Sequence, residues 1–522
     1  MSIMSEYNRI NNAKKDIVKS IQNKNIIIPT EIKIDKVSKY IDSIPTGVET
    51  DITFYDYDGT PLYAYSHEDV ANLTKLPELP HHEGLIAQGW NWTLEELKSA
   101  TYKCIVGANY ITDDGKTRLY LNFPTKNSAY VPLYFYQSVS QGVTIDWGDG
   151  RQQTVSGTGF VSANHNYATA GKYMISLNPQ NNCSLSFGGV ADNTEIPAAA
   201  SILTGIFGSG ASARAACYKI ELGKNIQQLK IASFDNAFNV TSISIPNSIT
   251  TIMPCAFRYC RCLTSIVIPR GITTISKYCC YDTYGLRTIS LPKTIKTIEV
   301  EAFRLNRGLT NIALSEGLEV IEADAFQDCQ DIQEVYLPKS LTSIGAHAFT
   351  LCRGIKKLEL PPSITSLTGI FSSLYQLKEF KLNEIMSSIC TLPDARSLNS
   401  LVFPKSLSAI PDRMINSSWS LLNITLPENA TSIGAYAFSG CSSLSEVKYP
   451  ATLTSIGVDA FYSCISIVEH DFSKCTKIPT LANSAVFNGI HPNCKIKVPS
   501  ALYNQWKAAT NWSTYANYIV AV

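Results

Sequence analysis

Residues 337–359 read LPKSLTSIGAHAFTLCRGIKKLE, and residues 245–267 read IPNSITTIMPCAFRYCRCLTSIV. Both place Pro second, Ile eighth, Ala-Phe twelfth and thirteenth, and Cys sixteenth. The Pro recurs at 246, 269, 292, 338, 361, 404, 427 and 450, and Ser315 keeps the phase where it is missing. Gly223 and Ser473 extend the series at its ends, and Asn383 sits near phase. A fixed step of 23 residues, as from Pro246 to Pro269, predicts a solenoid in which each coil buries its face only against the next. About twelve coils fit between roughly 201 and 499.

Each column of the repeat has a physical task. In LTSIVIP (263–269), Leu263, Ile266 and Ile268 mark a short strand, and Pro269 ends it because it has no N–H for a further ladder bond. Ile249 and Ile252 in SITTI turn inward from a second extended segment. Ala-Phe packs a small residue and a ring into the axis at 256–257, 302–303, 325–326, 348–349, 437–438 and 460–461. Three residues after the Phe stands Cys260, Cys329, Cys352, Cys441 or Cys464. These thiols read as buried apolar spacers, because zinc would need paired ligands such as CxxC…CxxC. Cys260/Cys262 and Cys279/Cys280 read as structural too.

The pattern LxxIxIPxxITxIxxxAFxxCxxL resembles the BspA-like leucine-rich repeats of bacterial surface proteins, protist surface proteins and phage tail proteins. The closing stretch, SALYNQWKAATNW, resembles the end of such arrays and predicts a cap helix with Leu502, Trp506 and Ala509 on one face. The coils at 361–426 lack Ala-Phe and Cys, which points to a bend or a functional surface there.

At 522 residues the chain exceeds one compact core. Its net charge is +1 with no dense Lys/Arg tract, which excludes a dedicated nucleic-acid binder. No apolar run reaches the roughly 18–20 residues of a membrane helix. The start, MSIMSEYNRINNAKKDIVKS, carries no basic-then-apolar export signal.

Five segments are expected: 1–50, 51–102, 103–200, 201–499 and 500–522. In the first, Ile10, Ala13, Ile17 and Ile21 fall at helical spacing, and this face predicts attachment or self-association, with a trimer as the expectation. The second carries FYDYDGT, LPELPHHEGL and QGWNWTLEE, and resembles a module of phage and prophage tail proteins. Its DYDGT also matches the start of haloacid-dehalogenase-type phosphatases, with Asp56 as nucleophile and Asp58 as acid/base. The α/β sequence that fold needs does not follow, so a hairpin with Asp58-Gly59 at its tip is expected. His81-His82 reads as a surface turn. From 103 to about 190 short strands predict a sandwich. There VTIDWGDG and HNYATAGKYMISL resemble a PKD-type immunoglobulin-like domain, which implies Trp147 in its core and Gly148-Asp149-Gly150 as a turn. Asp146 and Asp149 are weak calcium candidates. The fold class expected is therefore mainly β: a helical N-terminal segment, the sandwich, the leucine-rich solenoid and a C-terminal cap helix.

No GxSxG, HExxH or phosphate loop appears, and no cofactor or enzyme activity is expected. With 27 tyrosines, exposed rings are natural contacts for sugars or proteins. Tyr281 and Tyr284 in KYCCYDTY (277–284) come first, then Tyr336 and Trp419. The module order and the missing export signal favour a phage virion protein. It would contact other virion proteins through its N-terminal region and a host glycan or protein through its repeats, with no membrane insertion. A bacterial surface adhesin is the alternative, and a glycan-degrading enzyme a weaker one.

Overall fold

The computed structural model describes residues 51–125, 129–188, 205–208, 210–364, 370–382, 392 and 395–522. Ile10, Ile17 and Ile21, with the helix expected around them, lie outside these residues.

A four-stranded sheet opens the described chain, in the order β2-β1-β4-β3. Its strands are β1 (Ile52–Tyr55), β2 (Pro61–Tyr65), β3 (Leu85–Trp90) and β4 (Cys104–Thr112). The β1–β2 turn is closed by the Asp56 N–H to the Thr60 carbonyl (2.8 Å), and Gly59 there takes the left-handed conformation (φ 89°) that glycine adopts without strain. Sequence spacing assigns β4 to the sandwich. It instead pairs parallel with β1 and antiparallel with β3, a non-local pairing that local pattern does not announce.

The sandwich begins at β5 (Thr117–Phe123) and continues through β6 (Tyr130–Gln137), β7 (Val143–Asp146), β8 (Gln152–Val155), β9 (Gly159–Asn166), β10 (Gly171–Pro179) and β11 (Leu185–Phe187). Its two sheets do not close on themselves. The first coils of the solenoid add strands to both: β12 (Cys217–Glu221) lies antiparallel on β5, and β13 (Ile226–Leu229) lies parallel on β11. The sandwich thus covers the open edge of the first coil, which would otherwise present unpaired backbone groups. One continuous core runs from Leu119 through the coils to Ile519.

Along the solenoid, three-residue strands stack parallel and in register, as Ile266 on Ile289 and Leu358 on Phe380. Two-residue strands such as Thr274–Ile275 and Thr297–Ile298 form a second ladder. The Phe column is a ring stack: Phe303, Phe326 and Phe349 follow one another at 5.3 Å with interplanar angles of 10° and 12°. Where Ala-Phe fails, buried Ile370-Phe371 and Met414-Ile415 fill the same place, so the ladder continues through the irregular coils. Among the described residues the Cys thiols are free, and those of the repeat column donate back to the carbonyl of the residue 26 earlier, as Cys329 to Phe303 (3.1 Å) and Cys352 to Phe326 (3.1 Å). Burial pushes the Cys441 thiol up to about 12, so these sulfurs stay protonated donors.

Two residues in each regular coil, such as Tyr278 with Asp282 and Asp324 with Asp328, take positive φ, and nearly all are residues other than glycine, Gly440 being an exception. The strain is of order 1–2 kcal/mol per residue. It aims turn N–H groups at the next coil, as Asp282 to the Arg304 carbonyl (2.9 Å) and Asp328 to the Thr350 carbonyl (2.9 Å).

The far end is closed by a short helix, Tyr503–Ala508, and a following turn. Trp506 and Trp512 are fully buried there against Phe472, with centroids at 5.6 and 5.2 Å. Leu502 and Ala509 pack on the same core, as the helical spacing predicts.

His470 is buried nearby against Tyr449, Phe461 and Phe487. Burial pushes its pKa down to about 3, against about 6.5 in an unfolded chain. Between those values the unfolded state binds a proton that the folded state refuses, so stability falls as pH drops below about 6.5. The expected slope is about 1.4 kcal/mol per pH unit. Urea unfolding at a series of pH values should show this slope in the native chain, relative to His470→Gln.

Candidate binding surfaces

The outward positions of the three-residue strands are small in the early coils: Ser242 and Ser244, then Ser265 and Val267, then Thr288 and Ser290. All six are buried. The N-terminal sheet sits on them. The Asn91 Nδ2 lies within hydrogen-bonding distance of the Ile268 and Ser290 carbonyls (3.1 and 3.2 Å), while its Oδ1 accepts from the Gly107 N–H (2.8 Å). Asn109 donates to the Ile245 carbonyl (3.0 Å), and the Trp92 indole to that of Leu291 (3.0 Å). Arg270 forks onto Glu96 at 2.8 and 3.1 Å, a bidentate pair at the rim.

From Glu334 onward the same positions change character. Glu334, Lys357, Glu359, Glu379, Lys381, Glu446 and Lys448 are exposed. They pair across coils, as Lys381 with Glu359 and Lys357 with Glu379 (3.6 Å). Such exposed pairs each contribute little to stability, about 0–1 kcal/mol. They keep the sheet face wet rather than hold it together.

Within this open face the strand ladder stops at Asn423–Thr425 and resumes at Glu446–Lys448. A cleft of about 530 Å³ lies at the break, bordered by Thr425, Glu428, Glu446, Lys448, Asp471 and Lys474 over Tyr449. Its rim mixes both signs of charge, and its floor is rigid, since Tyr449 stacks on Phe472 at 3.7 Å. Desolvation pushes the Asp471 carboxyl up, but bonds from Ser473 and the charge of Lys497 outweigh it and hold the group below its ordinary range. It therefore presents a carboxylate. Charged groups around an aromatic floor suit a polar ligand.

The repeat itself decides kinship. A family model described as "BspA type Leucine rich repeat region" matches residues 206–310, 302–393 and 391–490, more than half of the chain. The chain belongs to the BspA-type leucine-rich repeat family. Solved structures similar to this BspA-type chain include a leucine-rich repeat protein from Bacteroides ovatus, 21% identical, with a TM-score of 0.49, covering 58% of this chain and 84% of that one. A leucine-rich cell surface protein from Faecalibacterium prausnitzii is 22% identical, with a TM-score of 0.33, covering 48% and 70%. The pneumococcal vaccine antigen PcpA is 20% identical, with a TM-score of 0.32, covering 60% and 81%. No curated protein matches the chain.

The ring candidates separate on this BspA-type scaffold. Tyr284 and Trp419 are both exposed and occupy the same repeat position, just after the Cys column, six coils apart. Tyr281 is half-buried, edge-on to Tyr259 and Tyr278 at 5.8 and 5.7 Å. Tyr336 is not an open contact. Its ring lies flat on Tyr102 at 5.2 Å and 6°, and its hydroxyl donates to Glu316 (2.8 Å), so it anchors the N-terminal sheet.

The carboxylates first considered for chemistry are engaged by the protein. Asp146 accepts from the Gly148 N–H (2.9 Å) and from Gln152 (3.2 Å). Asp149 accepts from the Arg151 N–H (3.2 Å) and meets the His165 ring (2.8 Å). These bonds engage their oxygens within the turn. Asp56 is buried, takes the Tyr57 N–H (2.8 Å) and meets His82 Nε2 at 2.7 Å. His82 is therefore no plain surface turn: its bond to Asp56 raises the imidazole pKa, and its ring packs on Tyr57 and Tyr110. Only the long-range fold brings residues 56 and 82 together. Among the described residues, no group of three or more His, Cys, Asp or Glu is placed to hold a metal ion.

Proposed function

We propose that this chain is a non-enzymatic binding protein displayed at a bacterial cell surface, where the open strand face of the later coils engages a host glycan or protein. The observation that carries the reading is the change along one strand face, from small residues under the N-terminal sheet to exposed charges around the 530 Å³ cleft. One half of the face is used internally, and the other is left for a partner. Solenoids serve this role well because their exposed positions vary between coils without disturbing the core.

The placement test is mass spectrometry of peptides shaved from intact cells that make the protein, beside density-purified phage particles from the same strain. Peptides on cells support the adhesin. Stoichiometric peptides confined to particles would replace it with a virion role. For the face itself, the full chain is probed on glycan and host-protein arrays beside a Glu446→Lys/Lys448→Glu variant. The swap is expected to weaken capture at least about tenfold while leaving the unfolding midpoint unchanged. Unchanged capture would remove the cleft from the binding face.

A further inference from the structure

One sheet of the sandwich joins β12, β5, β10, β7 and β8 in that order. Along β10 the side chains alternate: Ile175 and Leu177 are buried in the core, and Met174, Ser176 and Asn178 lie on the outer face. The register sets Arg118, Ser176, Asp146 and Gln152 side by side across four strands. The outer face of an antiparallel sheet is commonly open to water. Here it is walled. The Arg118 guanidinium donates to the Gly84 carbonyl (2.9 Å) and bridges Asp113 (2.7 Å) and Asp114 (2.9 Å), which fixes the loop before β3 and the β4–β5 turn beside the sheet. The cleft so formed measures about 600 Å³, the size of a small-ligand site.

Two polar groups on its floor have no work within the chain. Ser176 is only 8% exposed, and among the described residues nothing bonds its hydroxyl. The Asn178 amide, two residues along on the same face, is likewise unbonded among them. A buried hydroxyl without a partner costs free energy unless something in the cleft meets it. Asp146 accepts from the Gly148 N–H and from Gln152, which leaves carboxylate lone pairs for further donors. The floor thus offers a hydroxyl, two amides and a carboxylate together. Met174, 42% exposed, sits across from Tyr120 and makes one end apolar.

Charge selects among ligands. Arg118 is taken by Asp113, Asp114 and Glu221, and Lys116 by Asp114 (3.1 Å). Both cations of the lining are therefore met within the protein, while the carboxylates of Glu83 and Asp146 border the cleft. An anion is disfavoured there. The fitting ligand is neutral, rich in groups that both donate and accept, and apolar on one side. A pyranose has that character, with a girdle of hydroxyls and a face of C–H bonds. We propose that this cleft binds a neutral polysaccharide, whose hydroxyls meet Ser176, Asn178, Asp146 and Gln152 and whose C–H face lies on Met174. The site stands on the sandwich, apart from the strand face of the later coils.

The test is affinity electrophoresis of the full chain in native gels carrying dextran, galactomannan, xyloglucan or polygalacturonate. Retardation by at least one of the neutral polymers is expected, and little by polygalacturonate. Asn178→Ala/Gln152→Ala should weaken that binding at least about tenfold, and Ser176→Ala at least about threefold, with unchanged thermal midpoints. Undiminished retardation of both variants overturns the site. So does free passage of the native chain through every neutral polymer, or tighter binding of polygalacturonate than of all of them. A loss seen only in Glu446→Lys/Lys448→Glu overturns it as well, by moving the contact to the later coils.

Discussion

Truncating Phe326 to alanine is expected to cost about 3–5 kcal/mol of folding free energy, the largest effect of any single change in the array. The ring is fully buried and sandwiched between Phe303 and Phe349 at 5.3 Å on each side. Removal forfeits its transfer free energy, leaves a cavity, and deletes two stacked contacts worth about 0.5–1.5 kcal/mol each. The rigid coils on either side cannot close the gap, since both are pinned by backbone ladders. In a linear array the damage stays local. Hydrogen exchange should accelerate around residues 301–350 while the C-terminal cap keeps its protection. Ile465→Ala, at an exposed site, should stay within about 0.5 kcal/mol. A loss below about 1 kcal/mol for Phe326→Ala would show that the ring stack is not what joins the coils.

The second large effect is expected at Asn91. This fully buried amide joins three backbone groups, two of them 177 and 199 residues away in sequence. Asn91→Ala leaves the Gly107 N–H and two carbonyls without that partner in a dry seam, at about 1–3 kcal/mol for each group left unsatisfied. The loss falls on the docking of the N-terminal sheet rather than on the coils. Limited proteolysis should therefore cut within 51–112 while a fragment from about 205 onward persists. Gly107→Ala reaches the same end by another route, because a β-carbon there would stand 2.5 Å from both Val267 methyls. If both variants resist protease as the native chain does, the seam is held elsewhere.

The coils were legible in the sequence because a repeated environment demands a repeated residue. Ala-Phe and Cys recur since every coil offers the same space and the same carbonyl to meet. The seat of the N-terminal sheet was not, although its signal is present: the strand positions read Ser-Ser, Ser-Val and Thr-Ser before 313, and Glu-Tyr, Lys-Glu and Glu-Lys after it. Small side chains admit a second layer and charged ones refuse it. Without knowing which distant segment would cover the face, the difference passes for surface variation. The Asp56–His82 pair and the Tyr336–Tyr102 stack were hidden for the same reason. Tyr284 and Trp419 stand far apart in sequence, and only the stacking of coils places these exposed rings at one repeat position.

The covered half of the strand face also makes the array a ruler with one fixed end. Asn91, Trp92 and Asn109 fix which coils lie beneath the N-terminal sheet, so a 23-residue unit inserted between Ile245 and Ser290 would slide Ser290 out of its seat. The same unit duplicated after Tyr336 would meet matching coils on both sides and lengthen the exposed face by about 5 Å. Reach can thus diverge between related chains by whole coils at the distal end, while the docked end keeps its composition.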